Sequence, residues 1–366
     1  MDARPWIALN YVPGVGKVFY KRLILRFGTP DEVFRAPSVE LMRIDGVRPS
    51  AVKAIREFDG WAGVDEELAR LEKTGARVVT FADDEYPANL REIHDPPPYL
   101  YVKGALRSDD KVAVAIVGSR MATNYGRQLT RTFARELASK GITIVSGGAR
   151  GIDTEAHRGA LAAKGRTVAV LGCGIDVVYP SENRELYDLI RENGAVVTEY
   201  PLGTPPEPGN FPPRNRIISG MSLGAVVIEA AGDSGSLITA SYSLEQNREV
   251  YAVPGNVVSP TSRGTNSLIK KGAKLVESPK DVMLDLFPSL KGYLKELDME
   301  AAQARNFVLA PDEKTLFEFI GLDPVHIDIL ASKSGISVSK TSSLLLNMEL
   351  KGAVRQVAGM RYIREF

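Results

Sequence analysis

The 366-residue chain contains a single cysteine, Cys173, and only three histidines, His94, His157 and His326. One thiol cannot form a disulfide within the chain, so the fold must rely on packing, and a reducing cytoplasm is the setting we expect. With so few thiol and imidazole side chains, no zinc-binding constellation is available. The acidic residues show no spacing suggestive of a cation site. We therefore expect neither a bound metal nor another cofactor.

Long apolar segments are also missing. No stretch is long enough to span a bilayer, and the N-terminal MDARPWIALN lacks the basic region and apolar run of a secretory signal. We expect a cytoplasmic protein with no membrane partner. The net charge is only +1, so composition does not indicate a nucleic-acid partner. A DNA site would have to arise from local clustering of Lys and Arg.

Two nucleotide-binding motifs are absent. No G-x-G-x-x-G begins the first helix of the strand-rich region, which disfavours dinucleotide binding. No G-x-x-x-x-G-K-[ST] is present, which disfavours a Walker-type ATPase. A single core rarely reaches 366 residues, so we expect two or three domains.

The central part of the chain alternates apolar strands with helical patterns. Runs of this kind predict a doubly wound, Rossmann-like α/β fold whose parallel sheet is covered on both faces. Such sheets bind ligands beyond the carboxyl ends of their strands, at the topological switch point. The predicted strands of residues 111–287 are Val112–Val117, Ile142–Ser146, Val168–Gly172, Ala195–Thr198, Ala225–Glu229, Val250–Val253 and Lys274–Val276.

Residues 1–64 predict a helical domain that contains two similar segments. Gly14-Val15 and Gly46-Val47 occupy matching places between helices, as in helix-hairpin-helix and SAM-like domains. We expect each glycine to adopt the positive φ of the hairpin, where backbone N–H groups can face a phosphate. The alternative is a helical domain that only packs and never contacts DNA.

The remaining segments complete the predicted organisation. Residues 65–110 contain a helix and the strand Arg77–Phe81, and we assign them to the Rossmann-like domain as an edge extension, giving 65–287. Residues 288–311 predict a linker. Residues 312–366 predict three helices and a hairpin, the order of a winged helix. That domain has seven acidic and seven basic residues, so DNA binding, partner contact and stabilisation all stay open for it.

Glycine-rich loops follow several of the predicted strands. Small turns at the ends of parallel strands let a ligand approach the backbone, and helix N-termini there favour anions. Arg120 and Arg150 add charge at the same edge, so the pattern predicts a phosphate site, although any single loop could reflect turn geometry alone. The loops are Gly118-Ser119-Arg120, Gly147-Gly148-Ala149-Arg150-Gly151, Gly172-Cys173-Gly174 and the segment containing Ser234-Gly235.

A proline-rich loop leads into the segment Asn210-Phe211-Pro212-Pro213-Arg214-Asn215-Arg216. An aromatic ring beside two arginines suits a stacked base whose phosphates are held by guanidinium groups. The alternative places Phe211 in the core and pairs the arginines with Glu199 or Glu229.

Several of these motifs, in this order, resemble those of the DprA/Smf family of DNA-processing proteins. They are Gly118-Ser119-Arg120, Ser146 to Asp153, Phe211-Pro212-x-Arg214-Asn215-Arg216-Ile217-Ile218-Ser219-Gly220 and Val253-Pro254-Gly255. The flanking helical and winged-helix domains also resemble the three-domain variant of that family, so the resemblance covers nearly the whole chain.

The resemblance implies a non-enzymatic protein that coats incoming single-stranded DNA during natural transformation, helps load the RecA recombinase and works as a homodimer. It implies a backbone phosphate at Gly118, Ser119 and Arg120, and a pocket lined by Gly147, Gly148, Arg150 and Gly151. Phe211, Arg214 and Arg216 would contact the strand. We add Asn215, Ser234 and Gly235 to the expected DNA site and assign no catalytic residue.

Two features bear on this resemblance. Family members can carry a basic residue just before the loop phenylalanine, whereas this chain has Pro208, Gly209 and Asn210, which removes the basis for a phosphate contact there.

The same sheet also resembles that of LOG nucleotide phosphoribohydrolases, the enzymatic alternative. Aligning Gly235-Ser236 with their P-G-G-x-G-T-x-x-E loop puts Thr239 where the glutamate should be, and threonine is a poor general acid or base.

Overall fold

The computed structural model describes residues 2–286, 309–321, 324–351, 353–357 and 359–364. The chain divides into two compact units, Met1–Leu286 and Phe287–Phe366. Most of the predicted linker, residues 288–308, lies outside the described residues. The division of the first 287 residues at position 64 stays a prediction, and that position falls inside a continuous helix, Trp61–Thr74.

Six helices form the N-terminal part of the first unit. Gly14 and Gly46 have φ values of 85° and 74°, which confirms the positive φ expected at both hairpin turns. The helices are α1 (Arg4–Tyr11), α2 (Lys17–Phe27), α3 (Pro30–Arg35), α4 (Ser38–Leu41), α5 (Pro49–Arg56) and α6 (Trp61–Thr74).

The rest of this unit alternates strands and helices, as the apolar runs predict. The strands are β1 (Arg77–Thr80), β2 (Tyr99–Gly104), β3 (Ala113–Val117), β4 (Thr143–Ser146), β5 (Thr167–Val170), β6 (Ala195–Thr198), β7 (Gly224–Val227), β8 (Glu249–Ala252) and β9 (Lys274–Leu275). The helices are α7 (Ala88–Arg91), α8 (Asn124–Ser139), α9 (Ile152–Ala162), α10 (Arg184–Asn193), α11 (Phe211–Gly220), α12 (Ser236–Glu245) and α13 (Arg263–Lys270).

The nine strands form one sheet in the order β1-β2-β6-β5-β4-β3-β7-β8-β9. All pairings from β6 to β9 are parallel, and the order reverses at β3, so the doubly wound prediction is confirmed. The antiparallel strands β1 and β2 extend the sheet beside β6. Sequence reasoning did not predict β2, which directly follows Pro96, Pro97 and Pro98.

Two apolar clusters among the described residues help to hold this unit together. One joins the N-terminal helices to the sheet, since Trp6 and Leu23 belong to the same cluster as Tyr101 of β2 and Val196 of β6. The other contains Val117, Val145 and further core residues between the sheet and its covering helices. Each fully buried large apolar side chain contributes about 1.5–3 kcal/mol relative to an exposed one. The N-terminal helices thus help to cover one part of the sheet.

The second unit is a winged helix. Its core includes Leu316, Leu330 and Leu345, and a three-stranded sheet in the order β10-β12-β11 forms the wing. The two-residue strand β10 is too short to be predicted from periodicity. Gly352, part of the predicted hairpin, lies outside the described residues. The elements are α14 (Pro311–Phe317), β10 (Val325–His326), α15 (Ile327–Ser334), α16 (Val338–Leu350), β11 (Val354–Val357) and β12 (Arg361–Arg364).

Within the described part of both units, no helix has the length and apolar character needed to cross a bilayer.

Candidate nucleic-acid interface

A cavity of about 500 Å³ opens at the carboxyl edge of the parallel sheet. It lies at the switch point, because the loops after the paired strands β3 and β7 both contribute to its wall. We call it the rim cavity. Eight of the thirteen predicted site residues line it: Gly118, Ser119, Arg120, Phe211, Arg214, Asn215, Ser234 and Gly235.

Backbone hydrogen bonds fix the loop after β3. The N–H of Ser119 donates to the carbonyl of Glu229 at 2.7 Å, and the N–H of Ile152 donates to the carbonyl of Ser119 at 3.2 Å. A Cβ at Gly118 would lie 2.6 Å from Ile152 Cγ1, so this approach requires glycine. The loops after β3, β4 and β7 are therefore held together, and a ligand would meet a preformed wall.

Two helices begin beside these loops. Helix α9 starts at Ile152 after Gly151, and α12 starts at Ser236 after Gly235. The Nδ2 of Asn215 donates to the carbonyl of Gly235 at 3.3 Å and ties α11 to the start of α12. Helix N-termini carry partial positive charge, so this edge favours an anion, as the glycine-rich loops predict.

The ring of Phe211 forms part of the cavity wall and is half-buried. Its Cδ1 atom would lie 2.8 Å from a Cβ at Gly172, so the glycine after β5 makes room for the ring. The guanidinium carbon of Arg120 lies 5.3 Å from the ring centroid, within the range of a cation–π contact. The arrangement places an aromatic surface beside a positive charge.

Tyr179 is a second aromatic residue of the rim cavity, and sequence reasoning missed it. Its ring centroid lies 5.7 Å from that of Phe211, and it is 39% exposed. The signal was available, because Tyr179 belongs to the long loop after β5 and so to the same edge of the sheet. Two neighbouring rings widen the surface on which bases could stack.

Arg214 is buried, yet it also lines the cavity. Its Nη1 donates to the carbonyl of Gly147 at 2.9 Å and to the carbonyl of Val170. Burial lowers the pKa of its guanidinium from the usual value, and the nearby Asp153 carboxylate opposes that shift. Arg214 thus joins α11 to the ends of β4 and β5 while adding charge to the cavity wall.

Asp153 is a functional-site candidate that the sequence motif contained without a role being assigned. It lines the cavity, and its Oδ2 accepts from the N–H of Ala149 at 3.3 Å. Burial raises its pKa to about 6, despite the opposing effect of the Arg214 guanidinium. A Cβ at Gly147 would approach both Asp153 Oδ2 and Arg214 Nη2 within 2.7 Å, so this glycine allows the two charged groups to lie close together.

Arg216, expected to contact the strand, is not among the residues that line the rim cavity. Its guanidinium donates to Asp95 at 2.9 Å and to both carboxylate oxygens of Glu199, at 3.1 and 2.8 Å. Lys17 of α2 also pairs with Glu199, at 2.6 Å. The geometry favours the alternative of an ion pair with Glu199, and the contact of Arg216 with DNA stays a prediction. Glu229 instead accepts from Thr123, at the start of α8.

The four pocket residues expected after β4 divide into two pairs. Gly147 and Gly148 are buried behind the cavity, where Gly148 has a φ of 66° and its carbonyl accepts from Tyr187 at 3.1 Å. Arg150 and Gly151 line an adjoining groove that also contains Arg120. The first pair thus lies behind the rim cavity and the second lines a neighbouring surface, and the contact of all four residues with DNA stays a prediction.

His157 and Cys173 are both buried. His157 is fully buried, and burial lowers its pKa to about 3, so its ring stays neutral. Burial raises the pKa of the Cys173 thiol to about 11. In the ranges that the structure describes, no cluster of His, Cys, Asp and Glu could hold a metal ion. Pro206 and Pro208 line the cavity before Phe211.

Comparison with known families gives two matches. A sequence model of the family described as DNA recombination-mediator protein A matches residues 77–287. A model described as the DprA winged helix domain matches residues 300–360.

Individual relatives extend this similarity over the whole chain. Protein Smf of Synechocystis sp. is 34% identical, over 98% of this chain and 98% of its own length. The crystal structure of DNA processing protein A from Streptococcus pneumoniae aligns with a TM-score of 0.68 and 35% identity, covering 78% of this chain and 98% of that one. A structure of the Helicobacter pylori protein, studied for its single-stranded DNA binding mode, aligns with a TM-score of 0.52 and 31% identity, covering 58% of this chain and 96% of that one.

Proposed function

The chain belongs to the DprA/Smf family of DNA recombination-mediator proteins, and from that premise we propose that its rim cavity binds single-stranded DNA. In this role the protein protects incoming DNA during natural transformation and helps to load the RecA recombinase. The bound nucleotides lie against Gly118, Ser119, Arg120, Phe211, Arg214, Asn215, Ser234 and Gly235.

The observation that carries the proposal is the placement of Arg120 against Phe211 at the start of several helices. Arg120 supplies a positive charge for a phosphate, and Phe211 supplies a ring for a base. Tyr179, 5.7 Å from Phe211, offers a second stacking surface.

We propose further that the protein acts without turnover. The position that would hold the glutamate of a LOG phosphoribohydrolase is Thr239, which is buried in the cavity wall. The nearest glutamate along that loop, Glu229, is engaged by the backbone N–H and hydroxyl of Thr123. Asp153 has a pKa near neutrality, but its carboxylate is held by the loop after β4 rather than aimed at a nucleophile.

The proposed partners follow from family membership. We propose that the protein contacts RecA and forms a homodimer, as the resemblance implies. A cytoplasmic location agrees with the lone buried thiol of Cys173, which forms no disulfide. For the winged helix, where Lys340 of α16 pairs with Asp312 at 2.5 Å, DNA binding, partner contact and stabilisation all stay open.

The test is a binding titration with fluorescently labelled oligothymidylate and with a duplex of equal length, each at several salt concentrations. We expect preferential binding of the single strand, weakening as salt rises because counterions are released from its phosphates. In parallel, the protein is incubated with ATP and with nucleoside monophosphates. Binding no tighter than to duplex would contradict the DNA assignment, and base or phosphate release above a control without protein would contradict the absence of turnover.

A further inference from the structure

Three cavities of the first unit are joined end to end by shared arginines. The rim cavity shares Arg120 with an adjoining groove, and that groove shares Arg158 with a third depression between α8 and α9. The path therefore runs from the carboxyl edge of the sheet across the outer surface of these two helices. We call the part that begins at Arg120 the arginine groove.

The sequence of α8 explains why this surface is basic. Arg127, Arg131 and Arg135 are spaced four residues apart, so they lie along one face of the helix. All three are exposed, and eight residues of helix span about 12 Å. Arg150 and Arg158 approach from the other side of the groove, with 65% and 51% of their side chains exposed.

The charge balance of the arginine groove is strongly positive. Six arginines line it together with only two carboxylates, Glu155 and Glu182. Glu182 pairs with Arg150, and the buried Glu155 pairs with Arg131 and Arg158. Neither Arg127 nor Arg135 has an ion pair among the residues that the structure describes. The whole chain has a net charge of only +1, so this concentration of charge is local.

The contact between α8 and α9 does not require the side chains of Arg127 and Arg135. Helices α8 and α9 contact each other through small and apolar residues, where a Cβ at Gly159 would lie 2.8 Å from Ala134 Cβ. Arg127 and Arg135 are exposed outside that contact, where like charges repel one another. A polyanion lying along the groove would offset this repulsion.

We propose that the arginine groove carries the single strand onward from the rim cavity by contacts to its phosphates. The inference rests on the proposed function of the rim cavity and extends it: bases are held at Phe211, while the following nucleotides lie along α8 with their backbone against the arginines. Binding in the groove is independent of sequence, because guanidinium groups contact phosphates and no aromatic side chain among the described residues lines it.

The experiment compares oligothymidylates of about six and about twenty nucleotides, lengths within and beyond one binding site of this general kind. The variant is the full chain with Arg127→Gln and Arg135→Gln. The two substitutions leave the ion pairs of Glu155 intact, because those pairs are made by Arg131 and Arg158. One control replaces the same arginines by lysine and keeps the charge. Another, Arg26→Gln with Lys73→Gln, removes equal charge from exposed positions on α2 and α6.

We expect the glutamine variant to bind the long strand about tenfold more weakly, as the removal of two exposed charges from the phosphate path implies. Its plot of log K against log[salt] should flatten by about 0.7 for each phosphate that the protein no longer neutralises. The short strand should bind as it does to the unmodified chain, and both controls should bind the long strand normally. Circular dichroism and thermal unfolding check that each variant folds.

Unchanged binding of the long strand would overturn the arginine groove and leave the rim cavity in place. Equal weakening for both lengths would also overturn it, because the arginines would then act on the rim cavity itself. If the control with Arg26→Gln and Lys73→Gln also binds the long strand more weakly, the loss of affinity reflects net charge alone, and the arginine groove is likewise overturned. If the unmodified chain binds neither length, the proposed function fails, and this extension fails with it.

Discussion

The guanidinium carbon of Arg120 lies 5.3 Å from the ring centroid of Phe211, although one residue follows β3 and the other begins α11. Their contact joins a charge and an aromatic surface at the switch point of the sheet. A nucleotide offers a complementary partner for each: a negative phosphate for the guanidinium and a planar base for the ring. The contributions of Arg120 and Phe211 to binding can therefore be tested separately, one as a charge and the other as a stacking surface.

Removal of the ring and removal of the charge should have different signatures. Phe211→Ala should weaken single-strand binding by about 1–3 kcal/mol, the usual contribution of a stacked base, with little change in salt dependence. Arg120→Ala should weaken binding and also flatten the plot of log K against log[salt] by about 0.7 for each phosphate that is no longer neutralised. A salt titration of both variants and the unmodified chain measures this.

Folding of both variants is checked by circular dichroism. If Phe211→Ala binds like the unmodified chain, the ring serves packing against Gly172 rather than DNA. If Arg120→Ala leaves affinity and slope unchanged, the rim cavity is not the phosphate site.

Arg216 should matter for stability rather than for DNA contact. Arg216→Gln removes the bidentate partner of Glu199, whose side chain is only 5% exposed, and leaves it with Lys17. Breaking a buried ion pair in this way should lower the free energy of unfolding by about 3 kcal/mol. Urea unfolding followed by the fluorescence of Trp6 and Trp61 measures the change.

The matched control is Arg35→Gln, because the pair of Arg35 with Glu32 is solvent-exposed and its removal should leave unfolding unchanged. Per folded molecule, Arg216→Gln should retain single-strand affinity. A variant that is as stable as the unmodified chain but binds DNA poorly would restore Arg216 to the contact surface.

Binding should depend on pH through Asp153. Its pKa is raised to about 6, so above that pH it is a carboxylate in the wall of an anion site, and below it the group is neutral. Single-strand affinity should therefore rise about fivefold as the pH falls from about 7.5 to about 5.5, as removal of one nearby negative charge implies. Anisotropy titrations across this range should show a flat profile for Asp153→Asn.

The same group gives a stability test of defined sign. Because the folded pKa lies above the usual 3.8, the stability that protonated Asp153 contributes is fully present below about pH 3.8. It is lost as the pH rises through about 6. Asp153→Asn should remove this component from the pH dependence of unfolding. An identical pH profile in the variant would show that Asp153 does not titrate in this range.

Gly151 should be intolerant of a side chain. Its φ is 76°, and a Cβ there would press against the carbonyl of Ser119. Gly151→Ala should cost at least about 1–2 kcal/mol of stability and disturb the loop that carries Arg150. Gly209→Ala, in the loop before Phe211, meets nothing within 4 Å and should be neutral. Equal thermal unfolding of the two variants would contradict the strained geometry at Gly151.

Residues up to Leu286 should fold and bind DNA without the winged helix. They form one compact unit that contains the whole rim cavity. A chain ended at Leu286 should keep most of its single-strand affinity, measured beside the full chain at the same salt concentration. If the shortened chain shows the expected circular dichroism but no longer binds, the main DNA site lies in the winged helix.

The order of apolar runs and glycine-rich loops was enough to predict the sheet and the edge at which the site lies. Apolar runs such as Ala113–Val117, bounded by turn residues, favour a covered parallel strand, since they show no exposed face. Parallel strands then bring their following loops to one edge, so Ser119 and Gly235 were expected at the same edge, and the pairing of β3 with β7 brings their loops together. The same loops carry the motifs by which the family is identified.

Which side chains of that edge face the ligand depends on packing in three dimensions. Arg214 and Arg216 are two residues apart on α11, and a helix turns by about 200° over that interval, so they point to opposite sides. The sequence therefore shows that the two side chains point in different directions. It does not show which of them faces the ligand, because that depends on which face of α11 packs against the sheet. Packing directs Arg214 to the rim cavity and Arg216 to Glu199 and Asp95, groups brought there by distant segments of the chain.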